Sequence, residues 1–204
     1  GWINGVWMEV AQAMSGGAIS GNDLEAQVNK RIYVTIKEMQ SMVHGFDFST
    51  ILLMYWRASR TGDQETKSKT LKWLRGEYLL KTDARRELGI QSIINDDDWF
   101  DYIKLFARLL HNMNYKGFII MIDELVNISK SVMYQTRQRN YEKMLSMYND
   151  ALQGRASYLG IIMGGTPSSV ENRDTGVFSY EALRSRLQSG TFGDNSIINL
   201  MTPI

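Results

Sequence analysis

Along the first ninety or so positions, apolar residues recur at intervals of three and four, a spacing that predicts a run of amphipathic helices. Trp2, Val6, Trp7 and Val10 share one face of a first helix; Ser15-Gly16-Gly17 and Gly21 then interrupt the pattern. Asn22-Asp23-x-Glu25 supplies a start signal for a second helix over Asp23 to His44, with Ile32, Ile36, Met39 and Val43 on its apolar side and Gly45 near its end. Ser49-Thr50 is the expected cap of the next helix, which carries Leu52, Leu53, Tyr55 and Trp56. The polar stretch from Ser59 to Lys69 is expected to be a loop. Leu71, Trp73, Leu74, Tyr78 and Leu79 continue the helical spacing, and Thr82 to Leu88 predicts a short helix closed by Gly89.

From Ile93 the pattern changes. Asn95-Asp96-Asp97-Asp98 precedes a helical stripe of Trp99, Tyr102, Ile103, Phe106, Leu109 and Leu110. A short, almost wholly apolar strand is expected at 118–123, a helix around 137–153, and a second apolar strand at Leu159-Gly160-Ile161-Ile162-Met163. Strand, helix, strand implies a parallel pair, and strands apolar at nearly every position imply helices on both faces of the sheet. A helix at about 179–189 and a third strand at Ile197-Ile198-Asn199-Leu200-Met201 complete the expectation. The chain is thus read as α/β, with a helical subdomain over 1–92 ahead of a parallel-sheet region over 93–204.

Composition narrows the chemistry. The 204 residues carry a formal net charge of only +1, so no overall field argues for nucleic acid or an anionic membrane. The absence of cysteine excludes thiol nucleophiles, disulfides and thiolate metal sites, and two histidines, His44 and His111, are too few for a histidine-rich zinc centre. No apolar run approaches the ~20 residues that cross a bilayer, and the N-terminus lacks the layout of a signal peptide, so a cytoplasmic setting without membrane contact is expected. Opening at Gly1-Trp2 and stopping directly after an apolar run, the chain reads as a piece of a longer polypeptide.

The run Phe118-Ile119-Ile120-Met121-Ile122-Asp123-Glu124 is the candidate for chemistry, because an apolar strand delivering two carboxylates is a Walker B-like pattern. At the carboxyl end of a parallel strand, Asp123 is placed to hold magnesium and Glu124 to orient and deprotonate a water. The plainer alternative is that Asp-Glu caps the following helix. One strand later, Gly164-Gly165-Thr166-Pro167 brings a hydroxyl to the same sheet edge, making Thr166 a candidate sensor of a γ-phosphate or simply part of a strand exit. Arg184 and Arg186 lie two apart on a short helix, so at most one comfortably meets a given phosphate; Arg137 and Arg139 are weaker candidates. Asp96 to Asp98 suits a helix start better than a cation site, and Asn127-Ile128-Ser129 matches a glycosylation acceptor that means little without secretion. A Gly-x-x-x-x-Gly-Lys-Ser/Thr loop, the usual phosphate cradle, occurs nowhere in the 204 residues.

In combination, Asp83-Ala84-Arg85-Arg86-Glu87-Leu88-Gly89-Ile90, Asp98-Trp99-x-Asp101-Tyr102-Ile103-Lys104, Ile122-Asp123-Glu124, Asn149-Asp150-x-Leu152-Gln153-Gly154, Gly164-Gly165-Thr166-Pro167 and Phe178-Ser179-Tyr180-Glu181-Ala182-Leu183-Arg184-Ser185-Arg186-Leu187 resemble one family. It is the bacterial ATP-binding P-loop family related to the ATPase of bacteriophage exclusion (BREX) systems, and the resemblance covers roughly residues 75–190. It implies a partial AAA+-like core whose Walker A loop lies upstream of Gly1, with ATP and magnesium as cofactors of the full-length parent and no tight nucleotide binding by this piece alone. It implies Asp123 and Glu124 as the Walker B pair, Thr166 as a sensor-like residue, and Arg184 and Arg186 as candidates for phosphate or subunit contact. The resemblance also raises DNA or defence-system proteins as partners and a homo-oligomer as the assembly. The Walker A strand of such ATPases sits between the sensor strand and the last strand, so its absence leaves a gap in the sheet. The competing class is a non-enzymatic module that binds protein or nucleic acid on a degenerate NTPase fold, and a metal-dependent phosphodiesterase is a third reading with too few further ligands.

Overall fold

The computed structural model describes Met8 and residues 21–188; the expectations for the first helix and for a strand at 197–201 lie outside the described residues. The chain forms two compact units that divide between Phe118 and Ile119. The first contains helices α1 (Gly21–Met39), α2 (Gly45–Thr61), α3 (Gln64–Leu74), α4 (Lys81–Leu88) and α5 (Trp99–Asn112). Helix α5, grouped by the sequence reading with the strands, packs instead against α1 and α2.

Helix α1 ends at Met39, earlier than its apolar spacing predicts, because His44 adopts a left-handed backbone (φ 57°) and the Met42 and Gly45 amides turn back onto Met39 and Met42 carbonyls. Ser49 is not a cap: α2 begins at Gly45, and the buried Ser49 hydroxyl donates to the Ile36 carbonyl at 3.1 Å. The polar stretch expected as a loop is helix on both sides of a two-residue break. Gly62, at φ 75°, ends α2, and the Asp63 carboxylate accepts the Thr66 amide at 3.0 Å to start α3. Polarity misled there because much of this stretch faces solvent. Asp98 likewise makes no side-chain cap to α5; it accepts from the Asn95 amide and side chain, closing the turn before the helix. Helix α4 and its Gly89 cap (φ 70°) match expectation.

The core of this unit runs through Val28, Ile32, Phe48, Ile51, Trp73, Tyr102 and Leu105, all at most 1 % exposed. Trp73 is the largest of the described side chains that are less than 2 % exposed. Its indole N–H donates to the Ser92 carbonyl at 2.8 Å, and its ring meets Tyr102 edge-on at 5.5 Å. Burial pushes the Tyr102 hydroxyl up to about 12.

The second unit holds β1 (Phe118–Ile122) from Ile119 onward, α6 (Val126–Ser129), α7 (Tyr134–Leu152), β2 (Leu159–Met163), α8 (Pro167–Glu171), a 3-10 turn (Val177–Ser179) and α9 (Glu181–Gln188). β1 and β2 pair as a two-stranded parallel sheet among the described residues. Tyr141, Met144 and Leu145 of α7, Met163 of β2 and Leu183 and Leu187 of α9 share one apolar cluster. The expectation of two covered sheet faces is not met: burial alternates along both strands, and Ile119, Met121 and Ile162 are 63 %, 76 % and 54 % exposed. The molecule is therefore helix-rich with a small parallel sheet. Among the described residues no helix is long and apolar enough to cross a membrane.

Candidate functional site at the carboxyl ends of the strands

The Gly164 amide donates to the Ile122 carbonyl at 2.8 Å, and the Gly164 carbonyl accepts the Leu125 amide at 3.0 Å. Bonding to residues on either side of a position is the parallel-ladder pattern. Here two residues, Asp123 and Glu124, stand where a regular ladder has one, so the chain bulges outward at the carboxylate pair. Glu124 absorbs the extra length with a left-handed backbone at φ 59°, which costs a non-glycine residue on the order of 1–2 kcal/mol. Such strain gathers at functional positions more often than elsewhere.

Local hydrogen bonds hold the bulge. The Asp123 Oδ1 atom accepts the Glu124 amide at 2.7 Å, and the Asn127 side-chain amide donates to Glu124 Oε2, also at 2.7 Å. Each carboxylate thus has one oxygen committed to structure and the other without a protein partner among the described residues. Both side chains are exposed. Leu125, just beyond them and 6 % exposed, anchors the turn in the apolar cluster, with helix α6 following.

The neighbouring strand end makes room for this arrangement. A Cβ at Gly164 would stand 2.9 Å from Asp123 Oδ1, and one at Gly165 would stand 2.8 Å from Ser169 Oγ and 3.2 Å from the Leu125 Cβ. Asp123 and the Gly164-Gly165 bend are therefore in direct register. Thr166 follows as the N-cap of α8: its hydroxyl oxygen accepts the Ser169 amide at 3.3 Å and lies 3.1 Å from Ser168 Oγ. The hydroxyl is exposed but fixed in direction.

Arg184 and Arg186 are not brought to the strand ends by any contact. Arg184 Nη2 lies 3.8 Å from Glu181 on its own helix, and Arg186 Nη1 donates to the Ala182 carbonyl at 2.8 Å. Leu183 and Leu187, which flank the two arginines, turn inward as the spacing predicts. Arg137, the weaker candidate, is engaged with the Ser131 carbonyl.

Two contributors were missed from sequence. Asn127, noted only as a glycosylation match, orients Glu124; a carboxamide three residues after a carboxylate was the available signal. Ser169, 1 % exposed, packs under Gly165 and donates to the Thr166 carbonyl at 2.8 Å. Among the described residues no three His, Cys, Asp or Glu side chains gather into a metal cluster. Magnesium does not need one, since it keeps several waters and takes one or two carboxylates beside substrate phosphates. Asp123 Oδ1 takes the Glu124 amide beside the position with no Cβ, which leaves Oδ2 without a protein partner among the described residues, and a single carboxylate oxygen of this kind fits that pattern.

A family model described as BREX system ATP-binding protein BrxC/D matches residues 1–204. The chain belongs to that family. The match extends over both units, well beyond the segment on which the sequence resemblance rested. Searches of curated proteins and of solved structures found no significant match. Membership in this family ties the chain to ATP binding in BREX systems.

Proposed function

We propose that this chain carries the metal- and water-handling end of an ATP-hydrolysing site of the P-loop, AAA+-like kind, acting in phage defence. The observation that carries the reading is the bulge placing Asp123 and Glu124 at the carboxyl end of a parallel strand, in register with Gly164 on its neighbour. Ligands of open parallel sheets bind at that end. The phosphate-cradling loop is not among these 204 residues, so a complete site takes it from outside them.

In this reading Asp123 would hold hydrated magnesium through Oδ2, the oxygen that takes no hydrogen bond among the described residues, and the ion would neutralise charge on the phosphates. Glu124, with Oε2 held by Asn127, presents Oε1 to a water, orients it and accepts its proton. The fixed hydroxyl of Thr166 is the sensor candidate at the adjacent strand end. Arg184 and Arg186 reach a phosphate only by leaving their local partners, so neither is assigned a role in the reaction.

Asp123→Asn in the full-length protein is expected to raise the magnesium concentration for half-maximal hydrolysis by about tenfold or more, while ATP affinity in EDTA stays unchanged. An unaltered magnesium requirement would remove Asp123 from the site. Gly164→Ala supplies a second test, because its Cβ displaces the short Asp123 side chain rather than backbone. Its expected signature is a hydrolysis rate lower by on the order of tenfold to a hundredfold, with stability changed by less than about 1 kcal/mol. Stopped turnover measurements and a urea melt on the same variant read both quantities.

A further inference from the structure

The chain has a formal net charge of +1, yet one face of the helical unit concentrates positive charge. On α1, Lys30, Tyr33 and Lys37 are all exposed and lie on its outer side, over about 10 Å of helix axis. On α2, Arg57 and Arg60 occupy i, i+3 positions and are exposed as well. Between the two helices lies a groove of about 410 Å³ lined by Asn29, Tyr33, Trp56, Arg57, Arg60 and Thr61. Glu25, paired with Arg60, and the exposed Glu38 that follows Lys37 are carboxylates beside these four cations.

The floor of the groove is fixed. Trp56 is 4 % exposed and its indole N–H donates to Asn29 Oδ1 at 3.2 Å, while the Arg60 guanidinium lies over the indole at 5.5 Å from the ring centre. The cations in and beside the groove are unspent: Lys30, Lys37 and Arg57 form no ion pair among the described residues, and Tyr33 is 49 % exposed. An exposed aromatic ring set among unpaired cations suits a polyanion that also offers flat faces to stack. A duplex hides those faces, and an acidic peptide lacks them.

We propose that the α1–α2 groove binds single-stranded nucleic acid, with a base stacked on Tyr33 and backbone phosphates on Arg57, Lys30 and Lys37. This surface is built wholly from residues of the first unit, none of which belongs to the carboxylate site. Binding rests on backbone charge and stacking, so it is weakly dependent on sequence and strongly dependent on salt.

The test is fluorescence anisotropy of a labelled oligothymidylate titrated with the full-length protein at several salt concentrations. Tyr33→Ala is expected to weaken binding about tenfold and Tyr33→Phe by less than about twofold, since the stacking ring is kept. Arg57→Glu is expected to weaken it by about tenfold or more, and Arg57→Ala to lower the slope of log affinity against log salt by about 0.7. Lys81→Glu makes the same charge change on α4 and should cost less than about threefold. Equal losses for Arg57→Glu and Lys81→Glu would overturn the proposal, as would an unaffected Tyr33→Ala variant. So would absence of binding, or displacement of the oligonucleotide equally well by duplex DNA or by polyglutamate.

Discussion

Glu124→Gln in the full-length protein is expected to lower ATP hydrolysis by about 10²- to 10⁴-fold, the range for loss of a general base, while leaving ATP affinity within about twofold. The amide keeps the shape of the side chain, and it can still meet Asn127 after a flip of its terminal group. What it loses is the capacity to accept a proton from water. The variant thus separates chemistry from binding, and phosphate release beside an equilibrium nucleotide titration reads the two. Turnover within about threefold of the parent would sink the general-base role of Glu124. Loss of ATP affinity together with rate would instead make Glu124 a structural member of the bulge.

Trp73→Ala is expected to destabilise the helical unit by about 3–5 kcal/mol, a large part of the stability of a typical domain. The ring is 1 % exposed at the centre of the core, so truncation leaves a cavity walled by side chains such as Tyr102 and also strips the Ser92 carbonyl of its donor. Trp73→Phe keeps most of the volume and loses the N–H, and should cost distinctly less. Urea unfolding followed by far-ultraviolet circular dichroism, with both variants compared with the parent, measures the difference. A Trp73→Ala cost under about 1 kcal/mol would show that the indole is not buried as described.

Features written in short-range spacing were legible in the sequence. The second strand falls at Leu159–Met163 as its apolar run predicts, the first at Phe118–Ile122, and helix α4 stops at Gly89 because glycine accepts the left-handed backbone that ends it. The stripe from Trp99 onward gives α5. Features that depend on tertiary context were not legible. Nothing in Ser59 to Lys69 announces that a single Gly62-Asp63 step separates two helices, since polar residues on solvent-facing turns look like a loop. Apolar alternation that leaves Ile119, Met121 and Ile162 exposed is indistinguishable by composition from a strand buried on both faces.

At the candidate site, the sequence offered the residue types and their order but not their geometry. Adjacent Asp123 and Glu124 suggested a strand end; the bulge, the left-handed Glu124 and the matching Gly164 come from pairing between strands far apart in sequence. The anchoring role of Asn127 follows from that same turn. The Arg184 and Arg186 candidacies rested on a motif, and their local partners on α9 could not be read from spacing alone.

The most direct measurement is a crystal structure of the full-length protein with manganese and a non-hydrolysable ATP analogue, the metal located by its anomalous signal. The expected map has the manganese bound to Asp123 directly or through one water, and the γ-phosphate beside the Gly164–Thr166 bend. A water in that map hydrogen-bonds to Glu124 Oε1. Metal and phosphates bound elsewhere, with Asp123 and Glu124 facing bulk solvent, would contradict the assignment of these strand ends to ATP hydrolysis.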